Sequence, residues 1–92
     1  MKTFLISYDL IGPETRDDYV RLINHIKSFT FWAKPLKSLW LVKTDKGIGE
    51  VRNELKQYAD SNDKIFVIDV TNANWATSNI SSQITDWMKN NI

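Results

Sequence analysis

Apolar and polar positions alternate from the third residue onward. Phe4, Ile6 and Tyr8 fall on one face of a strand over residues 3–9, with Leu5, Ser7 and Asp9 on the other. Leu10 and Ile11 lead into Gly12-Pro13, a turn that puts proline at a natural first helical position. Glu14, Asp17 and Asp18 then supply negative charge where a helix N-terminus favours it. Tyr19, Leu22, Ile23 and Ile26 recur at helical spacing, which predicts an amphipathic helix over residues 14–28.

Residues 29–43 are too apolar and aromatic for a loop. Two β-prone runs, over residues 29–34 and 38–43, flank Lys34-Pro-Leu-Lys37, and they predict a hairpin with its loop around Pro35. Thr44 or Asp45 is placed to cap a second helix over residues 46–59, whose apolar stripe is Ile48, Val51, Leu55 and Tyr58. Gly47 and Gly49 weaken its first turn. After a turn at Ser61-Asn-Asp63, residues 64–70 form the most apolar strand of the chain, a run that predicts burial on both faces. A polar stretch over residues 71–79 leads to a short last helix from about Ser81, with Ile84, Trp87 and Met88 on one side and a helical tail of about 80–92.

Strand, helix, strand, strand, helix, strand is the order of an α+β, ferredoxin-like βαββαβ domain: an antiparallel sheet with two helices on one face, here with a short C-terminal helix added. Ninety-two residues make one such domain, 1–92, with no room for a second core. The other sheet face is left uncovered in this arrangement. A second copy of the chain is the simplest cover, so a homodimer through the open face is expected.

Composition narrows the function classes. The chain has no cysteine, which excludes a disulfide framework and a thiolate metal site, and favours a cytoplasmic home over a secreted one. Three consecutive apolar residues, Phe4 to Ile6, are too few for a signal peptide, and no run approaches the ~18 residues of a membrane span. A soluble protein with no membrane partner is expected. Twelve Lys and Arg balance eleven Asp and Glu, a net charge of +1, so nucleic-acid binding would rest on a local patch or on a dimer that concentrates charge. Four Trp, three Tyr and four Phe supply bulky side chains for a small core or an interface.

Three segments carry a family resemblance. Leu5-Ile-Ser-Tyr-Asp-Leu10, Ser38-Leu-Trp-Leu-Val42, and Ser61-Asn-Asp-Lys64 ahead of an apolar strand resemble the SinR-type small proteins. These are distant relatives of the Cas-two family of CRISPR-associated ferredoxin-like dimers and of VapD-like toxins. The resemblance covers residues 3–70 and the Trp-containing tail. It implies a small homodimer associated with RNA or DNA, either a metal-dependent nuclease or a non-catalytic scaffold. Asp9 matches the strand-end aspartate that lies near the family's twofold and is associated with a divalent metal, so the resemblance makes Asp9 the catalytic and metal-binding candidate, with Mg²⁺ or Mn²⁺ as the ion. Two features depart from the family. The Arg-rich stretch after the Tyr-Asp strand is missing, only Arg16 and Arg21 lying on the first helix, and the hairpin carries Phe31-Trp32.

Each candidate also has a plain structural reading. Asp9 can instead bind backbone N–H groups of the turn through Leu10-Ile-Gly-Pro13. His25, the only histidine, reads as a surface or boundary residue rather than a general acid–base group. Asp69, inside an apolar strand, needs a Lys, Arg or backbone donor near the strand end if it is buried, a second metal ligand being the other reading. Lys34, Lys37, Lys43 and Lys46 surround Trp32 and Trp40, a mixture that holds single-stranded nucleic acid by phosphate contact and base stacking; the alternative is a solvated hairpin whose tryptophans fill core or interface. Trp75 and Trp87 are placed to pin the tail to the body. A non-catalytic dimeric module that binds a protein partner or small ligand is the alternative function class.

Overall fold

A computed structural model describes residues 1–10 and 16–92. The elements run β1 (Lys2–Asp9), α1 (Arg16–Lys27), β2 (Phe31–Leu36), β3 (Leu39–Thr44), α2 (Ile48–Lys56), β4 (Lys64–Asp69) and α3 (Ser82–Asn91). The expected Gly12-Pro13 turn, the helix start at residue 14 and the acidic side chains of Glu14, Asp17 and Asp18 lie outside the described residues. The four strands form one antiparallel sheet in the order β2-β3-β1-β4. The fold is thus α+β, with a four-stranded antiparallel sheet and three helices among the described residues, and it is compatible with the ferredoxin-like expectation.

Period-two alternation in β1 builds the core. Phe4 pairs with Val42 and Ile6 with Trp40 across β1 and β3, so these four side chains share a face. Leu22, Ile26 and Phe29 from α1 and its exit, and Val51 and Leu55 from α2, join them and Tyr8 in one buried cluster. Both helices therefore cover that face. The helical stripes are narrower than expected. Tyr19 and Ile48 are exposed, because only residues four apart, Leu22 with Ile26 and Val51 with Leu55, point straight at the sheet.

Four further expectations are corrected. The segment at Pro35 is strand rather than loop. Between the pairs Ala33–Leu41 and Leu36–Leu39, β2 carries one residue more than β3, and this bulge accommodates a proline that has no N–H for the ladder. The second helix is capped by Gly47 without a side-chain hydrogen bond. Thr44 instead accepts from the Lys46 backbone N–H at 3.2 Å and tightens the turn ahead of it. Strand β4 is an edge strand, and within one chain Phe66 and Ile68 are 57% and 43% exposed, so burial on both faces does not hold there.

The second sheet face is not wholly open either. The Val70 N–H donates to Thr3 O at 2.9 Å, and the Thr3 N–H to Thr71 Oγ1 at 2.9 Å, which brings the chain back beside β1. The Thr3 hydroxyl, almost fully buried, donates to the Asn91 carbonyl, and this ties the end of α3 to the sheet. Ser81 caps α3, its Oγ accepting from the Ile84 N–H at 3.4 Å, and Met88 is buried. Residues 70–92 therefore cover the part of the second face nearest Leu5 and Leu41 and leave Ser7, Phe66 and Ile68 outside that cover.

Candidate functional site

Asp9 is the last residue of β1 and is exposed. Its register partner in β4 is Lys64, and Ser7 pairs with Phe66 two positions along, so Asp9, Lys64, Ser7 and Phe66 stand together on the second face. In this register a lysine, not a second carboxylate, stands opposite Asp9. Among the described residues no three or more His, Asp or Glu side chains gather to hold a metal. The described part of one chain thus offers a cation opposite Asp9 where a Mg²⁺ or Mn²⁺ site needs further oxygen donors, and it does not fit such an ion.

The four lysines around the hairpin do not form one patch. Lys34 Nζ lies 4.8 Å from the centre of the Trp40 ring, on the helix-covered face. Lys43 pairs with Phe31 and Thr3 and belongs to the opposite face. Lys37 occupies the tight turn between β2 and β3, exposed. Lys46 Nζ is 2.8 Å from Glu54 Oε1 and 5.3 Å from the Phe29 ring centre, so its charge is already paired.

A smaller basic–aromatic strip takes their place. Lys27 Nζ lies 5.6 Å from the Trp32 ring centre, and Trp32 and Trp40 have ring centroids 5.6 Å apart. Trp40 is fully buried, whereas Trp32 is 36% exposed. The strip therefore runs Lys27, Trp32, Lys34, with Trp40 as its floor. Lys27 closes α1 and reaches Trp32 only because residues 28–30 turn the chain straight into β2, a proximity with no periodicity to announce it. The exposed side of Trp32 also settles its role in the single chain: it is half core and half surface.

The remaining titratable groups are structural. His25 is a boundary residue between the helices. Its ring stacks on Tyr58 at 4.8 Å and meets Phe29 edge-on, and Nε2 lies 3.1 Å from Glu54 Oε1 but out of line for a hydrogen bond. Asp69 is exposed rather than buried. Hydrogen bonds from the Thr71 side chain and backbone N–H, the latter at 2.9 Å, together with the charge of Lys2, hold its carboxyl below the ordinary range. The expected donor near the strand end is thus the Thr71 backbone. Tyr8 is a core residue whose hydroxyl accepts from Trp40 Nε1 at 3.2 Å. Burial pushes its pKa up, the Trp40 bond pulls it partly back, and neighbouring Tyr19 adds to the rise.

No described helix is long and apolar enough to cross a membrane. No protein-family model matches the chain, and no solved structure matches it.

Proposed function

We propose that this chain is a cytoplasmic, ferredoxin-like homodimer that holds single-stranded RNA or DNA as a non-catalytic scaffold, as its resemblance to the SinR-type and Cas-two proteins implies. The observation that carries the reading is the strip itself: a partly exposed Trp32 with Lys27 over its ring, and Lys34 over the adjoining Trp40. An indole face stacks any base, at about 1–3 kcal/mol per base, and ammonium groups on either side neutralise the flanking phosphates. In the free protein Lys27 rests on the ring. An entering base moves that ammonium from the ring to a phosphate.

Dimerisation through the open part of the second face is supported by Phe66 and Ile68, two large apolar side chains on a strand edge. Asp9 and Lys64 at its end are self-complementary across a twofold, since each copy brings one of each sign. Two copies carry two strips and offset the near-neutral charge of the single chain. The proposal assigns no chemistry to Asp9, because a metal shared by two copies of Asp9 requires the second copy.

Fluorescence anisotropy with labelled oligouridylate and oligothymidylate tests the reading. Two phosphate contacts per chain give a slope of log affinity against log salt of about −1.4 per chain. Trp32→Ala weakens binding by about 1–3 kcal/mol, while Lys43→Ala, on the other face, leaves it unchanged. Sedimentation gives about twice the 10.7 kDa chain mass, and Phe66→Glu gives the monomer. Absence of binding at low salt, or full binding by Trp32→Ala, refutes the nucleic-acid reading; a wild-type monomer refutes the dimer.

A further inference from the structure

The longest irregular stretch among the described residues builds a container. Between β4 and α3 the chain passes through Asn72 at φ 61° and Asn79 at φ 63°, two left-handed positions of the kind asparagine tolerates best after glycine. Each turns the backbone sharply, so the chain between them bows away from the sheet and returns to start α3. Beneath the bow is a cavity of about 420 Å³. Leu5, Leu39 and Leu41 form its floor on the second sheet face, and Trp75, Ile80 and Met88 form the opposing wall. No Lys, Arg, Asp, Glu or His side chain lines it; the polar side chains among the lining residues are Asn74, Thr77 and Ser78, with the indole N–H of Trp75.

Three observations narrow the occupant. The volume lies within the range of roughly 300–1,000 Å³ typical of small-molecule sites. One turn of an α-helix, about 10 Å across and 5.4 Å long, already fills about 420 Å³, so the cavity does not enclose a protein helix. A nucleic acid finds no cationic side chain, and a charged ligand no side chain of opposite charge, among the lining residues.

We propose that this cavity is a binding site for an uncharged, largely apolar small molecule, gripped between the sheet and residues 73–80 and oriented by the amide and hydroxyl groups of Asn74, Thr77 and Ser78. The site is separate from the Lys27–Trp32–Lys34 strip and goes beyond the nucleic-acid reading. Leu36, which also lines the site, is itself 57% exposed, so the site is open to solvent on that side.

The experiment uses N-phenyl-1-naphthylamine, an uncharged fluorescent probe, titrated into the full chain. The expected result is saturable binding of one probe per chain, with chemical-shift changes at the Trp75 indole and the Met88 methyl. Ala76 and Ala73 both line the cavity and are exposed, so Ala76→Phe and Ala73→Phe fill the space without touching the core. Each weakens the probe by about tenfold or more, the scale set by small volume changes in an apolar pocket. Phe66→Glu and Trp32→Ala leave probe binding unchanged, which separates this site from the dimer face and from the strip. The proposal is overturned by absence of saturable binding, or by equal binding to both filled variants. It is also overturned by loss in Phe66→Glu alone, which puts the probe on the open sheet face. Stoichiometry that falls as protein concentration rises overturns it too, because a second copy then occupies the cavity.

Discussion

Tyr8→Phe isolates a single buried hydrogen bond. Trp40 is fully buried and Tyr8 nearly so, and the indole N–H of Trp40 donates to the Tyr8 hydroxyl at 3.2 Å. The substitution keeps the ring, so the core loses no packing volume. What remains is an indole donor sealed from water without its acceptor, a situation that costs about 1–3 kcal/mol. A donor–acceptor distance at the long end of the ordinary range places the loss in the lower half, about 1–2 kcal/mol. For a domain of this size that lowers the melting temperature by about 4–16 °C and the urea midpoint by about 1–2 M at a slope near 1 kcal/mol per M. Alkaline pH supplies a second arm. The folded-state pKa of Tyr8 is raised above the ordinary tyrosine value of 10.0, mainly by burial, so the unfolded chain loses this proton first. The stabilisation is complete below about pH 10 and disappears as pH rises through the folded value. Wild type therefore loses stability above pH 10 more steeply than Tyr8→Phe, and the gap between them narrows. Equilibrium urea unfolding across pH 7–11 reads both effects. A loss below about 0.5 kcal/mol at neutral pH, less than the weakest typical net hydrogen bond, refutes the reasoning. Parallel alkaline slopes refute the assignment of the proton.

Two other predictions rest on the backbone and on Asp9. Gly49 lies within α2 and a Cβ added there meets nothing within 4 Å, so Gly49→Ala raises stability by about 0.5–1 kcal/mol in a thermal melt; a lower melting temperature shows that the helix needs the glycine. If two copies of Asp9 approach across a twofold, millimolar Mg²⁺ or Mn²⁺ raises the melting temperature of wild type and not of Asp9→Asn. Melting curves of wild type that do not move with either ion dispose of the shared-metal site.

The elements were legible because their apolar spacing is clean. The alternation of Phe4, Ile6 and Tyr8 and the spacing of Leu22 and Ile26 locate β1 and α1 to within a residue or two. The position of a strand in the sheet was not legible. An apolar run such as residues 65–68 reads the same at the centre as at the edge, and only the order β2-β3-β1-β4 leaves Phe66 and Ile68 exposed and Asp69 in solvent. Pro35 misled for a similar reason, since proline breaks a regular ladder but sits well in a bulge. The candidate site was half visible. Trp32 and Lys34 stood out, but Lys27 arrives from another element, and Lys46, prominent in the sequence, is spent on Glu54. The cavity had no sequence signature, because it depends on two left-handed asparagines that bend a polar segment away from the sheet.

The bulge in β2 has a consequence for how the molecule avoids aggregation. A sheet with two free edges can polymerise, each copy adding a strand to the next. Here the β2 edge is interrupted by Pro35, which offers no N–H, and by the extra residue that distorts the strand around it. That edge is a poor template for an incoming strand. Only β4 keeps an unbroken row of backbone groups from Lys64 to Asp69. Edge-to-edge growth therefore has one competent end per molecule, and a chain of copies stops once two such ends have met.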